Sequence, residues 1–147
     1  MSNPGAVTFD QTLHVRDHCL CLATQRAARA LARRFDEAFR PLGLSSGQFS
    51  LLQALNRPAP PTLGSVAELL AMDRTTLTAN LKPLERDGLL TVAPDPKDRR
   101  VRRLALTDAG RALLGRAMPV WTAEHARVDA EIDGAGKTLK TGLALLA

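Results

Sequence analysis

Asp98-Arg99-Arg100-Val101-Arg102-Arg103-Leu104-Ala105-Leu106-Thr107-Asp108-Ala109-Gly110 is the stretch on which the reading of the whole chain turns. Together with the residue before it, it packs Lys97, Arg99, Arg100, Arg102 and Arg103 into seven positions, with Asp98 the only acid among them. Val101 to Leu106 reads as a short strand, Leu89 to Ala93 as another, and Pro94-Asp95-Pro96-Lys97-Asp98 between them has the residues of a turn, so the pair is a hairpin. A tip this basic repels itself unless something anionic is bound. An arginine there suits a narrow minor groove, where negative potential is focused. Asp98, two residues before Arg100, is placed to hold that guanidinium by a charge-assisted hydrogen bond. A solvated charged face is the plainer use of such a run.

Working upstream, Asp73 is the N-cap of a helix that runs to Asp87, with Gly88 as its stop. Leu77, Leu81, Leu84 and Gly88 share one face and are expected to pack inward. The opposite face carries Thr75, Ala79, Lys82 and Arg86, with Thr78 beside it and Arg74 in the first turn. Small polar side chains near such an N-terminus approach base edges while cations reach phosphates. A shorter helix after Leu63, with Val66, Leu69 and Leu70 apolar, precedes it. Two short helices with a tight turn, then a basic hairpin, form a winged helix-turn-helix. In that setting the charge run favours DNA over solvent. The candidate contacts are Arg74, Thr75, Thr76, Thr78 and Lys82 on the helix and Lys97, Asp98, Arg99, Arg100 and Arg102 on the wing.

Toward the ends the pattern is helical again. One helix is expected from about Gln11 to Arg40, ended by Pro41 and Gly43, and another from Ser45-Ser46 to the proline cluster at Pro58. A long helix starts at Thr107-Asp108 and passes Leu113, Leu114, Ala117, Val120, Trp121, Val128 and Ile132; Gly134 and Gly136 break it before a last short helix to Leu146. The fold class is therefore mainly α with a small β-hairpin wing, a single domain over 1–147. Its DNA-binding lobe lies at about 45–107, and about 11–40 and 108–147 form dimerisation helices. Those terminal helices are too long for one small core to cover, which calls for a second copy of the chain; Val120, Trp121 and Leu143 are candidates for that interface.

The bulk numbers agree. A net charge of +5 and a pI near 10.0 point to a polyanionic partner. Aromatic residues are 3% with no Tyr, which disfavours the stacking platforms of single-strand binders and favours a duplex. No window is apolar enough for a membrane span, and Met1 to Thr12 has no signal-peptide pattern. Cys19 and Cys21, two apart in one expected helix, point about 200° from each other and do not suit a disulfide. A reducing, cytoplasmic setting follows, with no cofactor implied.

The stretch from Asp98 to Gly110 resembles the D-x-R…L-x-L-T-x-x-G wing signature of the MarR family. Leu77, Leu81 and Leu84-Glu85-Arg86-Asp87-Gly88-Leu89 are similar to that family's recognition-helix end, and Pro41-Leu42-Gly43-Leu44 with Gln48-Phe49 to its first helix junction. The similarity covers about residues 18 to 130. It implies a triangular homodimer on pseudo-palindromic operators, usually a repressor relieved by a ligand or oxidant. Two departures stand out: Ala79 sits where members often carry a base, and Pro83 is expected to kink or loosen the last turns of the helix.

The sensing end stays open between three readings. Cys21 falls, twenty residues before Pro41, where the hydroperoxide-sensing branch of the family keeps its reactive cysteine. That branch polarises the thiol with tyrosines, and this chain has none; Ser46 and Phe49 lie in the corresponding region. A buried, inert cysteine is the alternative. His14, His18 and Cys21 share a face if the helix starts early, a weak metal-ligand spacing beside the simpler reading of an exposed histidine pair. A small apolar or aromatic effector between the dimer helices and the DNA lobe is the third. A basic RNA- or ribosome-associated winged-helix protein is the alternative function. A thiol enzyme would need a base near Cys21, and His125 is remote in sequence, so no enzyme is expected.

Overall fold

The computed structural model describes residues 5–147. Its elements run α1 (Phe9–His18), α2 (Leu20–Phe39), a 3-10 turn (Arg40–Leu42), α3 (Ser46–Leu55), α4 (Leu63–Leu69), α5 (Arg74–Arg86), β1 (Leu90–Pro94), β2 (Arg102–Leu106), α6 (Asp108–Glu131) and α7 (Gly136–Ala144). The chain divides into a small unit through Arg34 and a larger one from Phe35 onward. No helix among the described residues is long and apolar enough to cross a membrane.

The single helix expected from Gln11 to Arg40 is two. Thr8 opens α1 with a capping box to Gln11, and the backbone turns extended at Cys19 (φ −73°, ψ 106°) before α2 begins. Cys19 Sγ then accepts the amide of Leu22 at 3.4 Å, acting as the N-cap of α2. Both cysteines are free; Cys19 lies between α1 and α2 and Cys21 within α2, so the two do not share one helix as expected.

In the larger unit the starts of α3 to α6 are each set by a side chain the sequence marks, whereas α7 begins after Ala135 with no side-chain cap. Ser45 and Gln48 form a capping box on α3, whose first amides also reach back: Ser46 N donates to Asp36 Oδ1 at 2.6 Å. Thr62 caps α4, Asp73 caps α5 and Thr107 caps α6. The turn between α4 and α5 passes through Ala71 in the left-handed region (φ 50°), without a glycine.

Phe39, Phe49, Leu52, Val66, Leu77, Leu84, Leu90 and Leu104 are buried in one core that α6 joins through Leu113, Leu114 and Ala117. Phe39 stacks on Phe49 at 4.7 Å. Val120 and Trp121, expected at a dimer interface, pack in part against this core, and the Trp121 ring lies tilted against His125 with centroids 4.8 Å apart. Leu143 remains exposed, as do Leu139, Leu145 and Leu146. On α5 the inward set is Leu77, Leu81 and Leu84; Gly88, expected with them, is exposed and instead supplies the left-handed stop (φ 73°). Leu69, read as part of an apolar face, is 57% exposed. Pro83 does not break α5, which continues to Arg86.

Candidate nucleic-acid interface

The two strands pair antiparallel in the register Leu90 with Leu106 through Pro94 with Arg102. This hairpin is fastened to the body at its base and along one edge. At its base, Thr107 N donates to Leu89 O (3.1 Å) and Thr107 Oγ1 donates to Gly88 O (2.6 Å), while the same hydroxyl accepts Gly110 N (3.1 Å). A Cβ on Gly110 would lie 2.1 Å from Leu89 O, so only glycine lets the first turn of α6 rest on that carbonyl. The Leu-Thr-x-x-Gly run is thus the hinge between wing and helix. Along its edge, Leu104 N donates to Pro61 O (2.9 Å), joining β2 to the segment before α4.

The wing's charges sort into two kinds. Asp95 is buried and draws three donors: Arg103 Nε at 2.5 Å, Lys97 N at 2.7 Å and Asp98 N at 3.3 Å. The Arg103 guanidinium first, then the Lys97 amide, hold its carboxyl below the ordinary range. Arg103 also donates from Nη1 to Pro60 O at 3.0 Å. This pair is a brace inside the protein. Asp98 and Arg100 form an exposed pair: Arg100 Nε and Nη2 donate to the two carboxylate oxygens at 3.1 and 3.2 Å, and Arg100 N adds a third bond at 3.1 Å. Those bonds, the side-chain ones first, lower the Asp98 pKa. The Arg100 side chain is nonetheless 91% exposed. The expected Asp98–Arg100 contact is therefore present. Lys97, Arg99 and Arg102 are exposed and form no ion pair among the described residues.

On α5, Arg74, Thr75, Thr76, Thr78, Ala79 and Lys82 are all exposed. Two of the candidate hydroxyls are already engaged. Thr76 N and Oγ1 both donate to the Asp73 carboxylate at 2.8 Å, which lowers the Asp73 pKa, and Thr78 Oγ1 donates to Arg74 O at 2.7 Å. Arg74 leans over Gly64, where an added Cβ would stand 3.0 Å from Nη2. Sequence reading missed Asp95, Arg103 and Gly64 as supports of the site.

Away from these residues, a groove of about 640 Å3 is lined by Phe49, Ser50, Gln53, Arg57, Met118 and Trp121 among others. Gln53 Nε2 points at Met118 Sδ (2.9 Å) and Arg57 Nε is held by Ala54 O (3.0 Å). In the small unit, His14 and His18 stack with ring centroids 4.2 Å apart, and His18 Nδ1 donates to His14 O at 2.8 Å. The break at Cys19 puts Cys21 on the next helix, so the single face expected for His14, His18 and Cys21 is not one helical face. Among the described residues no three His, Cys, Asp or Glu side chains gather as a metal site. Cys21 is exposed rather than buried, with Gln25 Nε2 3.3 Å from its Sγ.

Helix, turn, helix and a braced two-stranded wing define a winged helix-turn-helix protein. Residues 44–101 match the model of the MarR family. The transcriptional activatory protein BadR of Rhodopseudomonas palustris is 35% identical over 89 residues, covering 58% of this chain and 51% of that protein. The chain thus spans about half the length of the curated relatives it matches. The DNA complex of the Mycobacterium tuberculosis transcriptional regulator MosR is similar over 87% of this chain and 93% of that one, with TM-score 0.79 and 38% identity. The transcriptional repressor CouR bound to a 23-mer DNA duplex, a regulator also solved from Rhodococcus jostii, gives TM-score 0.77 and 30% identity over 90% and 94%. The chain belongs to the MarR family. These relatives are transcriptional regulators and not enzymes.

Proposed function

We propose that this protein is a homodimeric regulator of transcription that binds double-stranded DNA at a pseudo-palindromic operator. The observation that carries the reading is the sorting of charge on the wing. Arg103 is paired with the buried Asp95, while the side chains of Lys97, Arg99, Arg100 and Arg102 stand exposed on a hairpin whose first strand packs on α5. The DNA complexes of MosR and CouR support the same partner. Arg100, oriented by Asp98, enters a minor groove; α5 lies in the adjacent major groove; the remaining cations meet phosphates. Exposed Leu139, Leu143, Leu145 and Leu146 on and after α7 favour a second copy as the cover for the terminal helices.

Repression relieved by a small ligand is the regulatory mode we infer. The groove beside Phe49, Met118 and Trp121 has the size and the aromatic floor for a small apolar or aromatic molecule, with Ser50, Gln53 and Arg57 as polar contacts. Relief by oxidation at Cys21 has less support, because no cationic side chain is bonded to its sulfur among the described residues. Selection of bound fragments from a sheared genome, followed by sequencing, tests the DNA reading. Enrichment of an inverted-repeat sequence supports it. Equal capture of all fragments, with RNA outcompeting duplex DNA, would instead support the RNA-associated alternative. A monomer by sedimentation at micromolar concentration would overturn the dimer.

A further inference from the structure

A shallow depression of about 350 Å3 is lined by Arg74, Thr75, Thr78, Ala79 and Lys82, with the cations at its two ends. Thr75, Thr78 and Ala79 stand between them. Ala79 presents only a methyl. The hydroxyl of Thr78 is turned back onto Arg74 O at 2.7 Å, so the staggered Cβ leaves its methyl as the outward group. The Arg74 head leans toward Gly64 on α4. No Asn, Gln, Asp or Glu lines the depression, so it holds neither the bidentate partner of adenine nor the acceptor for the cytosine amino group.

Only one group on the major-groove edge of a base pair is apolar and projecting: the C5 methyl of thymine. We infer that the depression between Thr78 and Ala79 receives a thymine methyl, and that sequence preference at this point of each half-site is set by that contact rather than by a hydrogen bond. The inference rests on the DNA-binding reading above and adds the chemistry of what α5 recognises. It also explains how a helix with alanine at its centre still discriminates: a longer side chain there would fill the depression and exclude the methyl. Since 5-methylcytosine carries its methyl at the same ring position, the site accepts it in place of thymine.

The test uses the full-length protein and the operator it selects from a random duplex pool. Each thymine is replaced in turn by deoxyuridine, which removes the methyl and leaves every hydrogen-bonding group in place. At the symmetry-related thymine of each half-site, affinity is expected to fall about fourfold per methyl, with no change elsewhere in the helix footprint. Thr78→Ser keeps the back-bonded hydroxyl and removes the protein's methyl; in that variant the uracil penalty shrinks. A C·G pair placed at the same position binds more tightly when its cytosine carries the 5-methyl group. If the pool yields no preferred sequence, the DNA-binding reading itself falls. If an operator is selected and uracil is tolerated at every position, that reading stands and the thymine-methyl inference is overturned.

Discussion

Gly110 and Gly115 lie five residues apart on α6, and the same substitution at each is expected to act with opposite sign. A Cβ at Gly110 would meet Leu89 O at 2.1 Å, its carbonyl carbon at 3.1 Å and Leu106 Cδ2 at 3.2 Å. The obstacle is backbone, so α6 must lift from the start of β1 by roughly an ångström, an overpacking that costs about 1–3 kcal/mol. The same carbonyl accepts Thr107 N at 3.1 Å, and displacing it forfeits that bond, about 1 kcal/mol more. Gly110→Ala should therefore destabilise the fold by about 3 kcal/mol, a large part of what holds a domain this size. At Gly115 nothing lies within 4 Å, so Gly115→Ala meets only the backbone-entropy effect and should stabilise by about 0.8–1 kcal/mol. Urea titrations followed by far-ultraviolet circular dichroism, at one fixed protomer concentration, measure both. Gly110→Ala should also weaken operator binding, because the lifted helix carries the wing root with it. A Gly110→Ala protein within about 0.5 kcal/mol of wild type would show that the close approach is not the reason for glycine here.

Arg100→Ala should weaken operator binding by about 1–3 kcal/mol with little change in urea stability, since the side chain is exposed and, among the described residues, bonded only to Asp98; an unchanged operator affinity by fluorescence anisotropy would remove the wing from the reading. Lys82→Ala should weaken specific and non-specific DNA alike and lower the slope of log affinity against log salt by about one; a loss confined to the operator would make Lys82 a base contact instead. The carboxyls of Asp36, Asp73, Asp95 and Asp98 are all lowered in the fold, so their contribution is complete above the unfolded value of about 4 and disappears as pH drops through the folded values below it. Stability from these groups should be flat from neutrality to about pH 4 and fall below that, less steeply in Asp95→Asn; an identical acid limb in that variant would exclude Asp95 as a contributor.

The parts of the fold that were legible in the sequence are those where local chemistry decides. Leu77, Leu81 and Leu84 recur at helical spacing and are buried, and Ser45, Asp73 and Thr107 cap where their side chains suit an N-terminus. The hairpin is also legible: β1 is displaced by one residue from the expected Leu89–Ala93, and β2 starts one residue later than expected and ends at Leu106. What escaped was set by contacts at a distance or by residues without a signature. Cys19 ends α1 with neither glycine nor proline to mark it. Ala71 takes a left-handed turn that sequence assigns to glycine or asparagine. Pro83 leads one to expect a kinked or loosened end to α5; the helix runs through it to Arg86, with Leu81 and Leu84 buried on either side. Asp95 was visible only as a turn residue. Its partner becomes apparent once Ala93 is paired with Arg103, because a residue two further along is the diagonal neighbour. The acid that looked absent from the charge run was one strand end away.

That brace makes Arg103 the cation whose removal separates shape from charge. By number it is one of five bases on the wing, and a reading from net charge alone gives it a phosphate. By position it is spent: Nε is 2.5 Å from Asp95 Oδ2, Nη1 is 3.0 Å from Pro60 O, and its side chain is 41% exposed against 91% for Arg100. An internally paired guanidinium displaces few counterions when DNA arrives. Arg103→Ala should therefore leave the salt slope of DNA binding unchanged while lowering stability, since Asp95 keeps the Lys97 and Asp98 amides but loses its cation in a buried site. Operator affinity still falls, through a wing that has lost its Asp95 brace and its Pro60 tie and is joined to the segment before α4 through the Leu104 N–Pro61 O bond. Lys82→Ala is the reference for a true phosphate contact, with its slope reduced by about one unit. If Arg103→Ala lost that same unit of slope and unfolded at the wild-type urea concentration, Arg103 would belong to the DNA surface and the division of the wing into brace and tip would be wrong.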